Sequence, residues 1–275
     1  MPLTSLKSVL AAAEARKAAC LGLVCLGWED VTAYAAAAEA ARAPLILSAG
    51  PGARAHMPVQ IWGKMFAEVA AQVAVPVVAH LDHGRTLDEA KAALDAGFTS
   101  LMIDGSLLPL EENMALSAAV CDLAPDHVSV EAELGEVGYQ DGAASKGTDP
   151  REVETFLAAV PCDCLAISIG NSHLQTRGKA VIDWGLAAEI TQVADRALVL
   201  HGGSGIAQED RSRLAQDFGV RKFNVGTELR QAFGTGLRAT LAQQPDIFDR
   251  LTILKSAASH VRSAAEGVLK ENWRA

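Results

Sequence analysis

Two hydrophobic patterns alternate along the chain. Short apolar runs, such as VPVVAHL at 75–81 and ALVLH at 197–201, are each followed by a longer stretch rich in Ala, Leu, Glu and Arg. Near-continuous apolar runs are what parallel strands covered on both faces require, and their alternation with helical stretches is the pattern of βα units. Eight units follow, with strands expected at 20–26, 44–48, 75–81, 100–103, 128–132, 164–169, 197–200 and 222–225. The matching helices are expected at 29–42, 59–74, 87–96, 110–123, 150–160, 182–194, 208–217 and 227–243. Eight parallel units close on themselves, so the expected fold class is α/β, a (β/α)8 TIM barrel. Residues 1–275 read as a single barrel domain, with 246–275 as a C-terminal helical extension that packs on the barrel or on a second subunit.

Length agrees with this reading: 275 residues suit one barrel of roughly 250 residues. Half of the residues are apolar and no segment is biased enough to lack a packed interior. The opening stretch carries Glu14, Arg16 and Lys17 where a signal peptide would need an apolar core, and it reads as an amphipathic helix. No apolar run approaches the ~20 residues of a membrane span.

A net charge of −9 argues against a nucleic-acid partner, which calls for a basic face, but leaves room for a small phosphorylated ligand. The five cysteines are odd in number and lack C-x-x-C spacing. Cys162 and Cys164 would point the same way in a strand and so form a thiol site; the simpler reading is five ordinary thiols in a reducing compartment. The expectation is a cytoplasmic protein that meets a small-molecule substrate, no nucleic acid and no membrane, and that forms a homodimer or homotetramer.

Barrel active sites lie at the C-terminal ends of the strands, and polar residues collect there. His80, Asp82 and His83 close strand three, Asp104 closes four, Glu131 and Glu133 close five, Asn171 and His173 follow six, His201 ends seven, and Asn224 lies in eight. His83, His173 and His201 thus arrive at one rim from three strands, and three imidazoles with an open position suit a catalytic divalent metal. Zn2+ is expected first, with Co2+, Mn2+ or Fe2+ as alternatives. Asp104 and Glu133 either orient these ligands, provide an alternative metal position, or are buried salt-bridge partners.

Asp82 adjoins His83, and strand alternation sends the two in opposite directions unless the strand has ended there. If it has, Asp82 can exchange a proton with a metal-bound substrate; otherwise it is a turn or capping residue. The turns HGGSGI and NVGTEL follow strands seven and eight, where barrels commonly bind phosphate. Backbone N–H groups at Gly202 and Gly203, with the Ser204 and Thr227 hydroxyls, would face the anion. The loop 134–148 is out of proportion and reads as a lid, a binding loop or a surface excursion.

Taken in order, HLDHG at 80–84, MIDGS at 102–106, LPLEEN at 108–113, VEAELG at 130–135, TDP at 148–150, AISIGNSH at 166–173, LVLHGGSG at 198–205 and NVGTEL at 224–229 make the chain resemble the class II, metal-dependent fructose-bisphosphate and tagatose-bisphosphate aldolases. The resemblance implies a zinc-type site at His83, His173 and His201, proton transfer by Asp82, and phosphate contacts from Gly203, Ser204, Asn224 and Thr227. It also implies a mobile acidic loop at 138–149, where Asp141 is the nearest catalytic acid. The pocket departs from the family pattern: Val24 and Gly27 stand where amides are expected, Leu107 where a histidine is usual, and Leu174 where a glycine follows the strand-six histidine.

The activity expected is reversible aldol cleavage of a ketose (bis)phosphate or related hydroxy-carbonyl compound through a metal-stabilised enediolate. Alternatives are an unphosphorylated or 2-oxo acid substrate, a lysine-dependent mechanism through Lys222, and a non-catalytic metal- or sugar-binding barrel.

Overall fold

The computed structural model describes residues 3–138, 142 and 145–273. Eight strands, β1 (Cys20–Val24), β2 (Leu45–Ala49), β3 (Val77–Gly84), β4 (Ser100–Ile103), β5 (Ser129–Leu134), β6 (Cys164–Ile167), β7 (Ala197–Leu200) and β8 (Val220–Val225), pair in sequence order. Every pairing is parallel, and β1 joins β8 to close the barrel. The helices are α1 (Leu6–Arg16), α2 (Trp28–Ala41), α3 (Pro51–His56), α4 (Val59–Gln72), α5 (Leu87–Asp95), α6 (Leu110–Leu123), α7 (Pro150–Ala159), α8 (Trp184–Val193), α9 (Gln208–Asp217), α10 (Thr227–Gln243) and α11 (Arg250–Trp273).

Alternation along the strands sorts their side chains into two cores. Outward residues such as Leu21, Leu47, Leu101, Leu165 and Leu198 pack beneath the helices. Inward residues Cys20, Ile46, Val78, Met102, Cys164 and Val199 meet Leu6, Val9, Leu10 and Ala13 of α1, which closes the N-terminal mouth. The barrel therefore has a floor, and the cavity opens at the C-terminal end. Helix α11 lies across α2 and α10. Among the described residues no helix is long and apolar enough to cross a membrane.

Beyond shifts of one or two residues at other strand ends, four details differ from the sequence expectation. The short α3, begun by Pro51 at its first turn, was not anticipated. Strand β3 keeps pairing to Gly84, three residues beyond the expected end. Strand β6 stops at Ile167, and α8 begins at Trp184 with the Asp183 carboxylate accepting from Leu186 N. Cys162 precedes β6 and belongs to the outer core, whereas Cys164 faces the barrel interior, so the pair does not share a face.

Candidate active site

Asp82 and His83 both line the C-terminal cavity, although consecutive strand residues ordinarily face opposite ways. The β3–β4 register shifts between Leu81 and Gly84, and His83 adopts a left-handed φ of 49°. This bulge turns His83 back towards the site. Arg54, supplied by α3, clamps it: Nη1 donates to the carbonyls of Ala49 at 2.6 Å and Asp82 at 2.7 Å, and Nη2 donates to the carbonyl of His83 at 3.2 Å. Glu89 holds the guanidinium from the other side at 2.9 Å. Sequence reading missed Arg54, because its partners are backbone oxygens of two strands that carry no sequence signal.

The three rim imidazoles converge. Ring centroids are 5.3 Å apart for His83 and His173, 4.5 Å for His83 and His201, and 5.7 Å for His173 and His201. One nitrogen from each lies within 4.8 Å of the others, which is a metal-binding spacing. Each of two rings has a carboxylate behind it. His83 Nδ1 is 2.9 Å from Asp104 Oδ2, and Asp104 is itself fixed by the Ser106 amide and hydroxyl. His201 Nε2 is 3.1 Å from Glu131 Oε1.

Glu131 and His80 do not belong to the rim where the sequence put them; both are fully buried inside the barrel, one layer lower. There Lys222 Nζ donates to Glu131 Oε2 at 2.6 Å and lies 3.2 Å from His80 Nε2. His80 Nδ1 pairs with Ser100 Oγ at 2.8 Å. Burial and the Lys222 charge hold His80 well below the usual imidazole range, so it accepts from Lys222 as a neutral ring. A Schiff-base lysine must reach the substrate carbonyl, whereas Lys222 is enclosed, ion-paired and absent from the cavity wall. Asn171 is also structural, accepting from Ile169 N at 2.8 Å and donating to the His201 carbonyl at 3.0 Å.

The electrostatics favour a cation. Burial pushes His173 down to about 4, aided by the charge of His83, and pushes His201 well below the usual range. Both are neutral rings, the ligating form. At His83 burial is outweighed by Asp82, Asp104 and Glu133, which hold it up at about 9. Burial, with Asp104, Glu131 and Asp82, raises Glu133 to about 8 against the pull of His83. Glu133 Oε2 has no hydrogen-bond partner although buried, and it lies 3.4 Å from His83 Nδ1. His83, Asp104 and Glu133 thus form a second grouping with metal-ligand spacing.

Asp82 lies under the cavity with Oδ1 accepting from Asn224 Nδ2 at 3.0 Å. Gly202, Ser204, Asn224 and Thr227 line the cavity, which measures about 460 Å³. Gly202 has φ 68°, and a Cβ there would lie 2.2 Å from the Ser172 carbonyl, so a side chain is excluded. Gly203 does not line the cavity: it is buried against Phe223 and Asn224. Ser204 Oγ accepts from Gly226 N at 3.3 Å and Glu228 N at 3.4 Å, capping the start of α10. Val24, Leu26 and Leu174 add an apolar wall, whereas Leu107 points to solvent. The loop after β5 is anchored by an antiparallel bridge between Glu136 and Lys146 and by His173 N donating to Gly138 O at 2.7 Å. Asp141 falls outside the described residues.

Residues 4–272 match the family model described as fructose-bisphosphate aldolase class-II. The chain belongs to this family. A fructose-bisphosphate aldolase of Geobacillus stearothermophilus is 36% identical over 253 residues, covering 88% of this chain and 87% of the relative. A probable fructose-bisphosphate aldolase of Bacillus subtilis (strain 168) is 36% identical over 280 residues, with 98% of each chain covered. Among solved structures, the YdjI aldolase of Escherichia coli K12 superposes with a TM-score of 0.85 at 28% identity, covering 98% of this chain and 97% of that one. The molecule is therefore a class II aldolase, a carbon–carbon lyase of a divalent-metal-dependent family.

Proposed function

We propose that this class II aldolase cleaves a ketose phosphate or related hydroxy-carbonyl compound, with His83, His173 and His201 holding a divalent cation, Zn2+ before Co2+, Mn2+ or Fe2+. The observation that carries the reading is the convergence of three imidazoles on one cavity beside Asp82. The donor set fits such an ion: two rings are neutral, His83 and His201 each have a carboxylate fixing one nitrogen, the other nitrogen of His201 lies 3.2 Å from Asn224 Nδ2, and Glu133 Oε2 is a buried carboxyl oxygen without a hydrogen-bond partner next to them. When bound, the ion supplies Lewis acidity towards the substrate's carbonyl and neighbouring oxygens.

The remaining work falls to the protein. Asp82 takes the proton from the hydroxyl whose carbon becomes the aldehyde, and Asn224 orients that carboxylate. Gly202 N–H, the Ser204 and Thr227 hydroxyls and Asn224 bind the anionic end of the substrate, with Gly203 shaping the turn from beneath. Ser204 already spends its oxygen on two amides, so it offers its O–H. Asp104 and Glu133 orient His83 and offer the alternative ion position. Asp141 is assigned to the carbon-bound proton on the resemblance alone.

Fructose 1,6-bisphosphate is not the preferred substrate in this proposal, because Val24, Leu26 and Leu174 replace polar wall with apolar surface against which an anion is poorly solvated. The five free cysteines support a reducing, cytoplasmic setting. Exposed Phe248 and Leu251 support self-association as a homodimer or homotetramer, which light scattering tests.

Metal analysis of the purified protein, followed by a cleavage screen over phosphorylated and unphosphorylated ketoses and hydroxy-oxo acids, tests the whole reading. About one ion per chain is expected, lost together with activity in a folded His201→Ala variant. Full metal occupancy in that variant overturns the ligand set, and a tenfold kcat/KM preference for fructose 1,6-bisphosphate overturns the substrate assignment.

A further inference from the structure

Asn224 spends only one end of its amide on the cavity. Its Nδ2 donates to Asp82 Oδ1 at 3.0 Å and lies 3.2 Å from His201 Nδ1, whereas its Oδ1 is buried and has no hydrogen-bond partner among the described residues. Ser48 Oγ, in β2, is in the same state, fully enclosed and without a partner. A buried polar atom left unpaired is costly, so two of them close together call for one shared partner.

Both atoms face one spot. Strand β1 lies between β2 and β8, where Gly22 pairs with Ile46 on one side and with Asn224 on the other. A Cβ on Gly22 would lie 2.6 Å from Asn224 Oδ1, 3.1 Å from Ser48 Oγ and 3.2 Å from Lys222 Cε. Only glycine lets an amide, a hydroxyl and a lysine stem come this close to the strand. Lys222 Nζ, one bond beyond that Cε, directs one hydrogen to Glu131 Oε2 and a second to His80 Nε2, which leaves its third.

The chemistry of the spot selects its occupant. It has to donate to the Asn224 carbonyl oxygen, share a hydrogen bond with the Ser48 hydroxyl and accept from the Lys222 ammonium. That ammonium excludes a cation, and the Asn224 and Asp82 oxygens exclude an anion. A small neutral molecule that both donates and accepts remains, and about three polar partners is the usual complement of a buried water.

We propose that a buried water at Gly22 bonds Ser48 Oγ, Asn224 Oδ1 and the third hydrogen of Lys222 Nζ, and so holds the Asn224 amide with its NH2 towards Asp82. Ser48 is thereby a positioning residue for proton transfer at Asp82. A reversed amide would set Oδ1 against a carboxylate, and the donors beneath Oδ1 oppose that reversal. The water also links the Lys222–Glu131–His80 layer to the rim above it. The positioning role rests on reading Asp82 as the base of the aldolase site, whereas the water rests on geometry alone.

A crystal structure of the metal-loaded parent, at a resolution that shows ordered solvent, should place a water within about 3.2 Å of both Ser48 Oγ and Asn224 Oδ1. No density there, or a Ser48 hydroxyl bonded directly to Asn224, overturns the site. Ser48→Ala should keep metal content and lower kcat for the best substrate of the cleavage screen by about 3–10-fold, the worth of one hydrogen bond. In an Asp82→Asn background the same substitution should change kcat by less than about twofold, because a residue acting through Asp82 has nothing left to position. Equal fold-losses in both backgrounds, or no loss in the parent, overturn the positioning role. If Asp82→Asn alone turns over at the parent rate, the base assignment and the positioning role fall together, while the density at Gly22 still decides the water.

Discussion

Asp82 and His83 are neighbours in sequence and face one cavity, because His83 takes a φ of 49° in a strand whose register slips at that point. A β-branched or bulky residue in this conformation costs of the order of 1 kcal/mol. Arg54 offsets it by binding the carbonyls of both residues. The proposed base and the proposed metal ligand are thereby brought side by side at one strand end.

Replacing Asp82 by Asn should leave metal content unchanged and lower kcat by ~10²–10⁴, the range for loss of a general acid–base group. The amide keeps the shape and can still pair with Asn224. Metal analysis and steady-state kinetics on one preparation check this, and turnover at the parent rate would make Asp82 a purely structural residue.

The ion pair inside the barrel should respond non-additively. Glu131→Gln leaves the Lys222 ammonium uncompensated in a site with no solvent access, at about 3–5 kcal/mol. Lys222→Met strands the carboxylate in the same way. The double variant, with neither charge, should lose much less than the sum of the two, and denaturant unfolding of all three proteins measures the coupling. Additive losses would mean that the two groups do not act as a pair.

Leu174 carries a φ of 51° and projects into the wall where the family resemblance places glycine. Leu174→Gly relieves about 1–2 kcal/mol of left-handed strain and adds about 0.4–1 kcal/mol of unfolded-chain entropy, so stability should hold or rise slightly. Clearing the side chain should also raise kcat/KM for fructose 1,6-bisphosphate severalfold. A variant with unchanged kcat/KM would show that Leu174 does not restrict the anion.

The thiols should be inert in the native state. Burial pushes Cys20 and Cys121 up to about 12 and Cys162 to about 11, so at pH 8 each is protonated, and the thiolate is the reactive form. Since these values lie above the ordinary thiol value of 9.0, the folded chain retains protons that the unfolded chain loses, and stability should fall as pH rises past about 9. Titration with a thiol reagent at pH 8 should give slow labelling before denaturation and five equivalents after it, with half-buried Cys121 reacting first. Rapid labelling of several thiols in the folded protein would contradict this.

The barrel and the identity of the polar residues at its mouth were legible in the chain's local patterns. Both follow from local regularities: a strand buried on two faces must be apolar, a surface helix must be amphipathic, and strand ends in such a fold point to one rim. Period-two alternation within the apolar runs decided which polar residues stop short of that rim, and the runs were too short to reveal it. His80 and Glu131 therefore read as rim residues, although they lie one layer lower with Lys222. Tertiary structure alone decided three things. It paired Asp82 with His83 through a backbone bulge, it set Arg54 of an unanticipated helix on their carbonyls, and it brought the Asn224 amide onto the Asp82 carboxylate. Each depends on contacts between segments far apart in the chain, made partly by backbone atoms that every residue shares, so no local pattern of side chains encodes them.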